Sequence, residues 1–144
     1  MVDVPADYRD LFEVQSFATF VTLHASGMPH PTPVWIGYDS GQEPTVPWEQ
    51  EGEPAILVNT AEGRQKHTNV TRDPRVAGTI LDPEDPYRYL SFQGAVTAIT
   101  KEGAIEHIDA LAQRYMGVET YPNHGDEDGD RIILRIEPTT ILRG

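Results

Sequence analysis

The chain has 144 residues, with 23 Asp and Glu against 11 Lys and Arg, a formal net charge of −12, 12 prolines and no cysteine. That length suits one domain with a sizeable core. The charge excludes nucleic acid and anionic membrane surfaces, which need a basic footprint. Without cysteine there is no disulfide, thiol chemistry or Cys-based zinc site.

Residues 1–10 are acidic and lack a basic-then-apolar signal pattern, which predicts a cytoplasmic protein. No apolar run approaches the ~20 residues that span a bilayer. Residues 5–13 predict a short helix, with Asp3 as its cap and Leu11 and Phe12 facing the core. Residues 17–23 are rich in β-formers and predict a strand. After a turn at 25–28, residues 31–38 return as a second strand, entered through Pro31 and Pro33 as an edge or irregular start. Residues 39–54 are a long polar excursion with Pro44, Pro47 and Pro54, and residues 55–60 are a third strand.

Residues 64–72 predict a helix that Asp73-Pro74 ends. Residues 75–81 are a fourth strand, followed by the corner Asp82-Pro83-Glu84-Asp85-Pro86. Residues 87–100 form a long fifth strand with a bulge at Gly94. Residues 104–116 have the strongest helical period, through Ile105, Ile108, Leu111, Ala112 and Tyr115, and Gly117 stops them. In that phase His107 falls on the outer flank, in solvent. Residues 131–142 are a sixth strand. Six antiparallel strands joined mostly by hairpins predict a mainly β fold, a small six-stranded barrel with a few helices. The single domain spans 1–144, and no internal repeat appears.

The acid is unevenly placed. Residues 39–53 carry Asp39, Glu43, Glu49, Glu51 and Glu53 and no base, and residues 117–130 carry Glu119, Asp126, Glu127, Asp128 and Asp130, again with no base. The run 126–130 lacks EF-hand spacing and its closing bidentate Glu, so it reads as a solvated loop. Against this background Arg64 and Lys66 follow Gly63, with no acid from 63 to 72, and Lys66 is one of two lysines in the chain. Two cations at a helix start, with its exposed N–H groups and dipole, make an anion site. Asn69 shares the face of Lys66, and Asn is a poor mid-helix residue unless its amide is used.

Other chemistry is absent from the pattern. There is no dinucleotide or P-loop fingerprint, no His-Glu-x-x-His and no nucleophile elbow. The histidines His24, His30, His67, His107 and His124 have no ligand-like spacing, so no metal site is assigned. No catalytic acid or base follows from spacing, and redox chemistry would come from a cofactor.

These residues also carry a resemblance. Phe20-Val21-Thr22-Leu23, then Ser26-Gly27-Met28-Pro29-His30 and Pro31-Thr32-Pro33-Val34-Trp35, are followed by Val58-Asn59-Thr60 and Gly63-Arg64-Gln65-Lys66-His67-Thr68-Asn69-Val70. Asp73-Pro74-Arg75-Val76, the corner running into Tyr87-Arg88-Tyr89, and Gly94 complete the order. The set resembles the pyridoxamine 5′-phosphate oxidase-like split barrels, nearest the branch of deazaflavin-dependent enzymes that use coenzyme F420. The composition also resembles that of proteins from salt-loving archaea, where salt screens self-repulsion.

The resemblance implies a homodimer of six-stranded split barrels with cofactor sites at the subunit interface. It implies an oxidoreductase that binds FMN or coenzyme F420 and passes hydride to or from a small organic substrate. The alternatives are a flavin-binding carrier or sensor without turnover, and a pyridoxamine 5′-phosphate oxidase proper. By the same resemblance the ring lies against backbone of Thr32, Pro33, Val34, Trp35 and Ile36, and of Val58, Asn59 and Thr60. The anionic tail goes to Arg64, Lys66 and Asn69, and Arg88 and Tyr89 match further polar cofactor positions. The chain departs from the pattern at His67, where an aliphatic residue is usual, and at Thr68, where a second Arg often holds the tail. The excursion 39–53 is also longer than the usual hairpin.

Overall fold

The computed structural model describes residues 2–124 and 129–144. A 3-10 helix, Ala6–Phe12, precedes β1 (Phe17–Leu23), β2 (Pro29–Trp35), β3 (Gly37–Asp39) and β4 (Ala55–Ala61). Then come α1 (Gln65–Arg72), β5 (Arg75–Leu81), β6 (Tyr89–Thr100), α2 (Ala104–Met116) and β7 (Arg131–Arg143). The seven strands form one antiparallel sheet in the order β2-β1-β5-β6-β7-β4-β3.

The sheet curls because its two edges are consecutive in sequence. Trp35 pairs with Phe17 on β1, whereas Gly37 pairs with Leu57 on β4. The chain crosses from one edge to the other at Ile36, which has lost both strand partners. Its carbonyl accepts a hydrogen bond from Arg114 Nη1 at 2.9 Å, and its N–H points to the Tyr115 hydroxyl at 3.4 Å. Two side chains of α2 thus satisfy a buried corner that would otherwise be costly. This corner divides the expected strand at 31–38, so the split barrel has seven strands and not six.

The barrel is filled by inward side chains, among them Phe20, Ile56, Val58, Ile80, Leu90, Phe92, Leu134 and Ile136, with Leu11 and Phe12 from the 3-10 helix. Leu57 on β4 and Ile133 on β7 face outward, where Ala104 of α2 and Trp48 cover them. Strand β4 is therefore buried on both faces. The bulge at Gly94 is present as a register shift between β6 and β7. A Cβ there would lie 2.3 Å from the Glu137 carbonyl oxygen, so glycine is required.

Several expectations need correction. Asp3 does not cap the first helix; its carboxylate accepts from the Val4 N–H at 2.7 Å and from the Tyr38 hydroxyl at 2.6 Å. The buried stripe of α2 is Ala104, His107, Ile108, Leu111 and Ala112, so Ile105 is exposed and His107 is inside. The excursion after β3 is anchored by its first acid. Asp39 is buried, pairs with Arg135 at 2.9 Å and accepts the N–H groups of Gly41 and Gln50. The acidic run at 126–128 lies outside the described residues. Among the described residues no helix is long and apolar enough to cross a membrane.

Candidate functional site

The α1 segment begins where β4 ends. Gly63 takes φ +85, which glycine adopts at little cost, and its N–H donates to His67 Nδ1 at 3.1 Å. The helix N-terminus carries no side-chain cap and no acid in its first turn. Arg64 is exposed and Lys66 half-buried at this point. β7 starts alongside, because Ala61 at the end of β4 pairs with Arg131.

Arg64, Lys66 and Arg131 meet in a cleft of about 330 Å³ whose walls include Pro33, Val34 and Trp35 of β2 and Asn59 and Thr60 of β4. Phe17, Met116 and Tyr121 supply apolar wall. Trp35 stacks flat on Tyr115, with ring centroids 5.2 Å apart, and meets the edge of Tyr121 at 6.2 Å. The Arg131 guanidinium lies 5.1 Å over the Tyr121 ring, and its Nε–H donates to Asn59 Oδ1 at 2.9 Å.

Burial lowers the pKa of the Lys66 ammonium, and the neighbouring Arg64 and Arg131 charges lower it further. An anion in this cleft would be attracted by Lys66 and by both arginines, and would offset the repulsion that Lys66 meets from them. The Thr60 hydroxyl oxygen is buried in the same wall with no hydrogen-bond partner among the described residues. A cationic end, an apolar and aromatic wall and an unpaired buried hydroxyl fit a planar cofactor with an anionic tail.

Seven of the sequence-selected residues thus line one cleft: Pro33, Val34, Trp35, Asn59, Thr60, Arg64 and Lys66. The side chains of the others are not among its walls. The Val58 side chain lies in the barrel core. Ile36 is fully buried at the barrel corner, and Thr32, paired with Phe20, is outside the lining set. Asn69 is fully buried; its amide donates to Thr22 Oγ1 at 2.9 Å and its oxygen accepts from Gln65, so it ties α1 to the barrel and cannot meet an anion.

Arg88 is committed elsewhere, chelating Asp10, bonding Asp82 and lying 4.8 Å over Tyr8. Tyr89 pairs with Gly144 beyond the far end of the thirteen-residue β7, away from Arg131. Sequence reasoning missed Arg131 and Tyr121. A basic residue opening a strand after an acidic loop was the available signal, but only the pairing with Ala61 gives it a place.

Two further features border the site. His124 Nε2 lies 2.6 Å from Asp109 Oδ1, next to the cleft residues Tyr121 and Asn123. None of the residues in 39–53 lines the cleft, so their acids do not face the three cations. Among the described residues no group of three or more His, Cys, Asp or Glu could hold a metal ion.

A curled antiparallel sheet closed in the strand order β2-β1-β5-β6-β7-β4-β3, with a cleft between β2, β4 and α1, is the architecture of the split barrels. The pyridoxamine 5′-phosphate oxidase family matches residues 4–143, and the protein belongs to it. The chain is similar to a solved F420 reductase at 27% identity, with a TM-score of 0.75 over 96% of this chain and 98% of that one. A conserved hypothetical protein from Mycobacterium tuberculosis shares the fold at 24% identity, with a TM-score of 0.68 over 99% of this chain and 85% of that one. So does General Stress Protein 26 from Bacillus anthracis, at 16% identity and a TM-score of 0.58 over 93% of this chain and 88% of that one. No curated protein sequence matches the chain.

Proposed function

We propose that the protein is an oxidoreductase that binds the deazaflavin coenzyme F420 in this cleft and serves a small organic substrate. The observation that carries the reading is the meeting of Arg64, Lys66 and Arg131 in one cleft of a chain whose net charge is −12. Arg131 supplies, from β7, the further cation that Thr68 withholds on the helix. Three cations suit a tail with several separated negative charges better than a single phosphate, and the similarity to an F420 reductase points the same way. FMN is the second reading, favoured by the family match.

When bound, the cofactor supplies the hydride chemistry. The protein's own part is binding, orientation and exclusion of water. Arg64, Lys66 and Arg131 would hold the anionic tail, and Pro33, Val34, Trp35, Asn59 and Thr60 would flank the ring. Phe17, Trp35, Met116 and Tyr121 keep the wall apolar.

We read the protein as a homodimer. Two complete rows of outward residues cross β1, β5, β6 and β7: Thr19-Thr79-Ser91-Leu142 and Val21-Ala77-Gln93-Thr140. Neither row has a charge, in a chain where nearly a quarter of residues are charged. Leu142 is 62% exposed there, and Phe17 on the same face of β1 is 58% exposed and also lines the cleft. A second copy seated on this face would therefore border the site.

The test is a titration of F420 and FMN in molar salt, with turnover of the reduced cofactor against a substrate panel. Tighter binding of F420 with turnover supports the reading, and binding without turnover points to a carrier. No binding of either cofactor at micromolar concentration would overturn it.

A further inference from the structure

Asn59 is placed as a connector. Its Nδ2 donates to the Ala104 carbonyl at 2.9 Å and lies 3.1 Å from His107 Nδ1, while its Oδ1 accepts from Arg131 Nε at 2.9 Å. Both amide hydrogens are drawn toward α2 and the oxygen toward the cleft. A flipped amide would set its oxygen against the Ala104 carbonyl and its NH2 against the Arg131 N–H, so the orientation is fixed. For His107 Nδ1 to accept, the ring proton must sit on Nε2.

His107 is 3% exposed and lies under Trp48, whose ring centroid is 5.2 Å away and which packs on the apolar cluster of Leu57, Ala104 and Ile133. Its Nε2 is pressed so closely on β3 that a Cβ at Gly37 would lie 2.8 Å from it. A leucine at 107 would also fill apolar space, but it would leave an Asn59 N–H without its acceptor. Burying an imidazole there costs free energy unless its hydrogen bond matters.

We propose that His107 and Asn59 are a buried positioning relay that aims Arg131 at an anion in the cleft. This rests on the reading of the cleft as a cofactor-tail site. Arg131 has a long side chain with many rotamers, and it lines the cleft beside Arg64 and Lys66. Holding its Nε fixes the guanidinium beforehand, so binding does not bear the ordering cost. Asn59 then acts through Arg131 and is a positioning residue.

The test is a thermodynamic cycle with Asn59→Leu and Arg131→Met, read by titration with inorganic pyrophosphate and by the Arg131 Nε–H resonance. That resonance is identified by its loss in Arg131→Met. It should exchange slowly with solvent in the wild type and fast in Asn59→Leu. Pyrophosphate affinity should fall about tenfold in Asn59→Leu, and the substitution should change nothing in the Arg131→Met background. His107→Leu, which leaves the Asn59–Arg131 contact in place, serves if Asn59→Leu does not fold; it should give a smaller loss with the same dependence on Arg131.

An equal loss in both backgrounds, or an unchanged affinity with a freely exchanging Nε–H, overturns the proposal. So does a wild type that fails to bind pyrophosphate at millimolar concentration. If pyrophosphate binds through Arg131 but neither cofactor binds, the cofactor reading fails and the relay stands. If F420 binds tightly and the loss in Asn59→Leu does not depend on Arg131, the relay fails and the reading stands.

Discussion

The buried His107 makes stability fall in mild acid. Burial lowers its pKa from 6.5 to about 3, and the neighbouring Arg114 and Arg131 charges add to the shift. The unfolded chain therefore takes up a proton near pH 6.5, while the folded one stays neutral until about pH 3. The unfolded state binds more protons throughout that window, so stability is fully present above it and is lost as pH falls through it. The slope is about 1.4 kcal/mol per pH unit once the window is entered. Between pH 7.5 and 5 the loss amounts to ~2 kcal/mol.

The comparison is wild type against His107→Gln, which removes the titration and keeps a side chain able to accept from Asn59. Urea denaturation is followed at several pH values in molar salt, where surface charges are screened. Above pH 5 the surface carboxylates are largely ionised in both states, so they contribute little to the difference. The wild type should lose ~2 kcal/mol relative to the variant over that range. Parallel curves would refute the buried, neutral His107 and, with it, the acceptor that fixes the Asn59 amide.

Three other substitutions test separate parts of the molecule. Lys66→Ala should weaken binding of the anionic cofactor by about 1.5–3 kcal/mol, the scale of a charged hydrogen bond; an unchanged dissociation constant in a fluorescence titration would remove the tail site. Arg135→Met strands the Asp39 carboxylate, which is 1% exposed. It should cost about 3–5 kcal/mol in urea denaturation, with much of it restored by adding Asp39→Leu. Leu142→Glu puts a charge into the uncharged outward rows; on the proposed homodimer, light scattering should show a dimeric wild type and a monomeric variant. A variant that stays dimeric would place the interface elsewhere.

Local signals were sufficient wherever local physics decides the structure. The strands Phe17–Leu23 and Arg75–Leu81 and the helix Ala104–Met116 begin and end where β-formers, prolines and Gly117 place them. Gly117 takes φ +71, which stops the helix as its residue type suggests. The division between β2 and β3 has no local signal, because apolar sequence continues from Val34 through Ile36. What decides it is Arg114 and Tyr115, 78 and 79 residues away. The phase of α2 was misjudged for a related reason. His107 looked like a surface residue until Asn59 gave its ring nitrogen a partner.

The candidate site divides along the same line. Arg64 and Lys66 stand out because they are cations in an acidic chain and occupy one short segment. Asn69 also stood out correctly as an amide in use, but the user is Thr22 inside the barrel and not an anion outside it. Arg131 has only a weak local mark, a base opening a strand after an acidic loop, and strand pairing brings it to the cleft. Its arrival changes the meaning of Thr68. A helix that lacks a further cation at Thr68 looks, in sequence, like a weakened anion site, whereas the folded cleft takes that charge from β7 and holds it through Asn59. An anion site of this kind is a sum of charges in space, so the loss of one helical arginine removes little when a strand contributes another. The balance is open to direct measurement: Arg131→Met should reduce cofactor affinity about as much as Lys66→Ala. If Arg131→Met is silent, the site is the two-cation helix start that the sequence shows.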